Sequence, residues 1–316
     1  MAKLTLFIDG KKHPYSKATV TMSIEQLAHT FDCDITPLPI TRSLDVEFKL
    51  DNETLFKGTI DGTDTITSSK NKGLRIFGRS QTANMIDSKI KMDAVYNQTL
   101  FELIKSIAGK FGLGAKNNVT TKLAEVPEFQ INAESPVSNL AQIVRQQNLM
   151  IYESNGSIVI EKPGQFEIKN IRLEDGKNLT GFSIQRNWSD LFYHIEVQGA
   201  YDDTEATITY TPANSYRTKV IIADKLQDSE SCKSRAEYER DLAIAKGLTV
   251  SGTVPGLHSE LGVDAINKIM EVYSAEESFH EKLLLKSLTL NADSNSENTQ
   301  VSLFRPFSEV LLNESA

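Results

Sequence analysis

The sequence predicts an α+β, β-rich fold assembled from several small modules. Short alternating apolar runs, separated by Gly, Asp and Asn turns, occupy both ends of the chain. Helix-period stripes with capping signals crowd its middle. The chain has 316 residues, 40% hydrophobic and 24% charged, which suffices for two or three domains with their own cores.

The elements follow in order. Leu4, Leu6 and Ile8 alternate and Asp9-Gly10 signals a turn, so a hairpin opens the chain. Ser23 and Gln26 have the spacing of a capping box. Ile24, Leu27, Ala28 and Phe31 recur at helical spacing, and the two signals together predict a short helix. Leu44, Val46, Phe48 and Leu50 alternate again, and further strands are expected around 55–60 and 74–77. Several short strands, one helix and frequent turns over residues 1–84 point to a small β-barrel, which leaves no sheet edge unpaired.

Residues 85–163 read as an α/β module. Thr99 and Glu102 form a second capping box, and Leu100, Leu103, Ile104, Ile107 and Phe111 make an apolar stripe that Gly112 can close. Phe129 and Ile131 look like a strand. Ser135 and Pro136 supply a cap and a first-turn proline for a helix that buries Val137, Leu140, Ala141 and Val144. Leu149 and Ile151 lead into Asn155-Gly156, the strongest hairpin signal in the chain, and Ile158 and Ile160 return from it.

The β pattern resumes over 164–215 and again over 248–316. Tyr193, Ile195 and Val197 alternate, as do Ile208 and Tyr210. A helical segment, 216–247, interrupts and joins the α/β module: Ser234 and Glu237 cap it, Tyr238, Leu242 and Ala245 line one face, and Gly247 ends it. Asn291 to Asn298 reads as an exposed hairpin loop. No repeat of fixed period is present.

The residues offer no reactive constellation. His13 and His29 are expected in solvent and His194 at a surface or interface. Glu277 and His280 have the Glu-x-x-His spacing of di-iron bundles, but such sites need the motif twice on four helices, so the run Glu276–Glu281 reads as a charged loop between strands. Gly109, Gly112 and Gly114 fit neither the P-loop nor GxGxxG, and no GxSxG or HExxH occurs. Cys33 and Cys232 stand apart and are expected unpaired. No catalytic residue, cofactor or metal is therefore expected, and the protein is read as no enzyme. The net charge of −8 does not suit gripping nucleic acid. No apolar run approaches the roughly 18 residues that span a bilayer, and the N-terminus shows no signal-peptide core. Stable membrane insertion is not expected. Trp188 follows Arg186 and precedes a strand, which suits core packing first and an interface anchor second.

Four landmarks then occur in order. Gly78-Arg79-Ser80 closes a strand, with Ile86-Asp87-Ser88 shortly after. The helix from Ser135-Pro136 leads through Arg145-Gln146-Gln147-Asn148-Leu149 to Gly156. Ser234-Arg235-Ala236-Glu237-Tyr238-Glu239 precedes a Thr-Val strand and Pro255-Gly256. Leu284 to Pro306 supplies final strands and a proline stop. In this order the landmarks resemble the Mu-type baseplate hub family, with its late control protein D and type VI spike-base relatives. The resemblance spans nearly the whole chain. Leu257, where the family often has Trp, and the acidic run near Glu276 depart from its pattern.

The resemblance implies a ring-forming subunit with two related β-barrels per chain, at 1–84 and at 164–215 plus 248–316. Three copies would present six barrels and so join the hexameric tail tube of a contractile phage tail to its trimeric central spike. The implied partners are two further copies of the chain, the tail tube protein and the central spike protein. The implied location is the virion tail baseplate, reached from the host cytoplasm during assembly. DNA would pass through an acidic lumen without sequence-specific binding. Structural or interface roles are expected for Gly78, Arg79 and Asp87 at the exit of the first barrel, with Arg79 either pairing a carboxylate or capping carbonyls, or standing as a plain surface arginine, and for Trp188, Arg235, Pro255 and Gly256. A tail-associated cell-wall hydrolase and a receptor-binding tail module are the alternatives.

Overall fold

The computed structural model describes residues 2–67, 72–201, 203–223, 226 and 228–306. Period-two burial dominates it. The first part holds β1 (Leu4–Ile8), β2 (Lys11–His13), β3 (Tyr15–Ser23), β4 (Thr30–Ile35), β5 (Asp45–Leu50), β6 (Glu53–Thr67), β7 (Lys72–Ser80) and the short helix α1 (Ala83–Asp87). The middle holds β8 (Ile90–Thr99), α2 (Leu100–Gly109), β9 (Gly114–Asn117), β10 (Glu125–Glu134), α3 (Pro136–Gln146), β11 (Met150–Ser154) and β12 (Ser157–Glu161). The remainder holds β13 (Phe166–Glu174), β14 (Thr180–Arg186), β15 (His194–Gln198), β16 (Glu205–Thr209), β17 (Thr218–Ile222), α4 (Ser229–Lys246), β18 (Leu248–Pro255), β19 (Lys268–Ser274), β20 (Phe279–Asp293) and β21 (Glu297–Phe304).

One sheet of 13 strands takes in both ends of the chain, along the path β14-β18-β21-β20-β3-β4-β7-β6-β5-β1-β2, with β19 and β13 branching from β20. The path is open at both ends, so no closed barrel forms among the described residues. The expected pair of separate barrels is replaced by one sheet because β20 and β3 pair antiparallel from Ser287↔Ser23 to Asp293↔Lys17. The first part of the sheet still curls on itself. Phe31 of β4 meets Phe48 of β5 at 5.6 Å although two strands lie between them, and Phe56 joins both rings. The Tyr15 hydroxyl donates to the Leu4 carbonyl at 3.0 Å and ties β3 to β1. One apolar core runs under the whole sheet, from Leu4 and Phe48 to Leu288 and Phe304.

The short helix expected over 24–31 does not form. Phe31, Cys33 and Ile35 bury with period two in β4, which pairs with β3 on one side and β7 on the other. Two ladders of backbone bonds outweigh one weak turn of helix. Ser23 Oγ accepts from the Glu25 N–H instead of capping Gln26. The exposed loop expected over Asn291–Asn298 is also narrower, since Asn291 and Asn298 face each other across the β20–β21 ladder.

The middle has its own core, built from Leu103, Ile104, Ile107, Leu140, Val144 and Ile158. Helix α2 carries the expected capping box. Gly112, at φ +70°, ends it, with Leu113 N–H bonded to Ala108 O and Gly112 N–H to Gly109 O. Ser135 does not cap α3 by its side chain; its hydroxyl donates to Ile86 O. Asn155 and Gly156, at φ +50° and +71°, form the expected two-residue turn between β11 and β12. Strands β16, β15 and β17 stand apart from the main sheet as a three-stranded sheet against α4, around Ile195, Val197, Cys232 and Ala236. Within the expected helical segment, residues 218–222 are strand, and the helix starts at Ser229, where Asp228 accepts the Ser231 N–H at 2.7 Å. Residues 307–316 and residues 224, 225 and 227 of the expected boundaries lie outside the described residues.

Candidate assembly interface

Strand β7 stays paired to β6 as far as Ser80 and passes closest to it at Gly78. A Cβ there would sit 2.0 Å from Thr59 O and 2.9 Å from the Phe31 ring, so only glycine lets β6 and β7 close up. Arg79 then points outward. Its Nε donates to Asp61 Oδ2 at 2.7 Å, and its Nη1 and Nη2 donate to Asp87 at 3.1 and 2.7 Å. Asp61 lies at an irregularity between Ile60 and Gly62, where the β6–β7 register shifts; Asp87 ends α1. The two carboxylates hold the guanidinium well above its usual range, and Arg79 holds the Asp87 carboxyl below its own. Arg79 thus pins the turn that carries the chain from sheet to middle module.

Behind that turn lies a buried polar seam that no spacing of residues announces. Ser80 Oγ accepts the His29 N–H at 2.9 Å and donates to the Glu153 carboxylate, and Thr82 Oγ1 lies 2.5 Å from the same carboxylate oxygen. His29 Nε2 sits 3.1 Å from Glu153 O, while its Nδ1 is buried with no partner. His29 was expected in solvent and is 2% exposed, because the segment before β4 folds under β11 rather than into a helix. Burial lowers its pKa to about 4. Burial also raises Glu153, against the pull of the Ser80 and Thr82 hydroxyls.

The other side of the β11–β12 hairpin grips the C-terminal part of the sheet. Glu161, fully buried, takes Lys268 Nζ at 2.8 and 2.9 Å and Asn267 Nδ2 at 2.8 Å. Ser154 Oγ donates to Asp264 at 2.9 Å. One hairpin therefore locks the middle module to both ends of the chain.

The remaining expected residues fall elsewhere. Trp188 is 66% exposed, which overturns core packing as its first reading: it sits in a loop, outside any strand register, with its carbonyl held by Arg217 Nη1 at 3.2 Å. Tyr216, next to the Arg217 that holds this carbonyl, and Val220 and Ile222 of β17 are also exposed. Among the described residues strand β17 pairs with β15 on one side only, so an unpaired edge adjoins these apolar groups. Arg235, by contrast, faces inward. Its Nη2 lies 2.8 Å from Glu239, as does Lys219 Nζ, and the three side chains clamp α4 to β17. Burial works to raise the Glu239 carboxyl, but Lys219 and Arg235 outweigh it and hold it below its ordinary value. Pro255-Gly256 turns the chain at φ +82°, with Gly256 N–H on Glu297 O and Thr299 Oγ1 on Gly256 O. Leu257 is buried there, and its carbonyl accepts the Ala2 N–H at 2.9 Å. Gly78, Arg79 and Asp87 come together; Trp188, Arg235 and Pro255-Gly256 occupy three separate places.

Among the described residues no group of three His, Cys, Asp or Glu side chains could hold a metal ion. Residues Glu276 and Glu277 lie in the tight turn between β19 and β20, and His280 Nε2 reaches Glu271 at 2.6 Å across the strands. Both cysteines are free and buried. Among the described residues no helix is long and apolar enough to cross a membrane.

No family model matches the chain. The baseplate hub protein gp44 of Escherichia phage Mu is 23% identical over 285 residues, covering 80% of this chain and 74% of that one. The chain resembles the Mu baseplate hub. The Mu-type likeness extends to the fold. The 43 kDa tail protein of prophage MuSo2 from Shewanella oneidensis superposes with a TM-score of 0.85 at 20% identity, covering 97% of this chain and 99% of that one. A type VI secretion component of E. coli, described as structurally similar to the phage T4 tail proteins gp27 and gp5, superposes with a TM-score of 0.65 at 12% identity over 96% of this chain and 77% of that one.

Proposed function

We propose that the protein is a structural, non-enzymatic baseplate hub of a contractile phage tail, a trimeric ring between the hexameric tail tube and the trimeric central spike. The β20–β3 pairing carries this reading. It sets the two β-rich parts of one chain, 1–84 and 164–215 plus 248–316, edge to edge in a single sheet. Three such chains place six β-rich parts around one axis, and six-fold and three-fold partners can then meet on opposite faces. Trp188, Tyr216, Val220 and Ile222 are the surface groups best suited to anchor subunit contacts, since exposed aromatic and aliphatic clusters mark interfaces. Arg79 with Asp87 keeps the middle module in place beside the ring wall. The tail tube and spike proteins are the partners, and the virion tail is the site of action.

Light scattering over a range of concentrations tests the ring. The expected mass is three times 35.2 kDa, with co-elution when tail tube or spike protein is added. A chain that stays monomeric and binds neither overturns the reading. Lysis on a peptidoglycan gel, abolished by one Asp or Glu substitution, would establish the hydrolase alternative instead.

A further inference from the structure

Strand β10 has an edge that the fold leaves open. Among the described residues it pairs with β8 on one side and with no strand on the other. A groove of about 930 Å³ runs beside it, and every residue from 122 to 130 lines that groove. Successive side chains of a strand point to opposite faces, so consecutive residues share one groove only where the strand's edge opens into it. Pro127 fits this placement, since proline within a sheet is confined to edge strands. A second wall comes from the first half of α4, where Glu230, Ser234 and Glu237 share one helix face. The end of α3 supplies a third side with Ile143, Gln146 and Gln147.

The lining selects its guest. Leu123, Phe129, Ile143 and Leu149 are buried and make an apolar floor. Glu125, Glu128, Glu230 and Glu237 line the same groove and make no ion pair among the described residues. Two further acids there are already bonded, Glu134 to Asn139 and Asp228 to Ser231. Against these six carboxylates stand two cations, Lys122 and Lys162. The Asn148 Oδ1 acceptor, also in the lining, is buried with no donor. An open edge calls for an extended backbone, the floor for apolar side chains, and the unmatched carboxylates and the orphaned acceptor for cationic donors. A nucleic acid or an acidic segment would be repelled by the same carboxylates.

We propose that this groove binds a basic, extended segment of another protein, which adds to β10 as a further strand. At about 3.4 Å per residue, the stretch 125–130 takes about six guest residues. Pro127 withholds one donor, so the edge groups on either side of it hold the guest. Alternate guest side chains reach the apolar floor and the carboxylates in turn. The proposal does not rest on the ring: the groove includes neither Trp188 nor any residue of β17.

The test uses the full chain and three hexapeptide probes: alternating Lys and Val, the same peptide N-methylated at every residue, and alternating Glu and Val. Fluorescence anisotropy gives the affinity, and amide hydrogen exchange gives the place. The Lys–Val peptide is expected to bind and to protect amides within 125–130. The methylated peptide keeps the charge but loses its backbone donors, and is expected to bind about tenfold more weakly or less. The Glu–Val peptide is expected not to bind. Glu125→Gln with Glu237→Gln, or Glu128→Gln with Glu230→Gln should the first pair fail to fold, is expected to weaken the Lys–Val peptide about fivefold. Equal affinity for the methylated peptide means charge attraction without strand pairing and overturns the proposal. So does equal affinity for the Glu–Val peptide, no binding of the Lys–Val peptide, or protection that falls on β2 or β17 instead. Protection of 125–130 that grows with protein concentration and needs no peptide assigns the edge to a second copy, and overturns the assignment to another protein.

Discussion

His29 and Glu153 face each other at one buried spot and respond to pH in opposite senses. His29 has its folded pKa near 4 against an ordinary 6.5, so the unfolded chain takes up the proton first. Stability from this group is complete above about pH 6.5 and is lost as pH falls toward 4, by up to about 3 kcal/mol. Glu153 is raised, so the folded state keeps its proton longer than the unfolded chain does. Its contribution is present at acid pH and fades as pH climbs through the raised value. Urea titrations at stepped pH should show His29→Gln with a flatter profile between pH 6.5 and 4 than wild type. Glu153→Gln, which keeps an acceptor for Ser80 and Thr82, should be more stable than wild type at neutral pH. Gly78→Ala should cost about 1–3 kcal/mol, because the methyl meets backbone oxygen on β6 rather than a side chain that can swing away. Equal denaturation midpoints for Gly78→Ala and wild type would show that the two strands can part without cost.

At the level of elements, what could be read ahead was what is decided locally. The α2 capping box, its closing Gly112, the Pro136 start of α3 and the Asn155-Gly156 hairpin all depend on residues within a few positions of one another, and all appear where expected. The stretch 24–31 misled because Ile24 and Ala28 are buried in the loop before β4 and Phe31 in β4 itself, and burial alone does not distinguish these from a helical face. The seams were out of reach for the same reason in reverse. Arg79 and Gly78 stood out, but Asp61 and the Glu153 carboxylate join them only through the sheet and the hairpin. The hairpin's grip can be tested directly. Lys268→Met leaves Glu161 charged, buried and without its cation, and should lower stability by about 3–5 kcal/mol. Lys268→Met combined with Glu161→Gln should recover much of that loss. A double variant no better than the single, by urea denaturation, would mean that packing rather than charge holds the seam.

For the molecule as a whole, the edge of β17 decides how copies meet if the ring reading holds. Val220→Lys with Ile222→Lys places charge on the exposed edge without touching Ile221, which packs inward. Sedimentation should show a trimer that dissociates at higher protein concentration than wild type, with unchanged circular dichroism. Trp188→Ala should act in the same direction. Trimers of unchanged affinity in both variants would move the contact elsewhere.

Strand β20 has a consequence for how the protein is made. Thr21 and its partner Thr289 are 268 residues apart, so the outer edge of β3 stays bare until nearly the whole chain has left the ribosome. A nascent chain cannot finish its N-terminal half early and wait. Chains cut short by a premature stop keep an open, strand-ready edge. They are marked for aggregation or proteolysis, and completion of synthesis becomes a built-in condition for reaching the native fold.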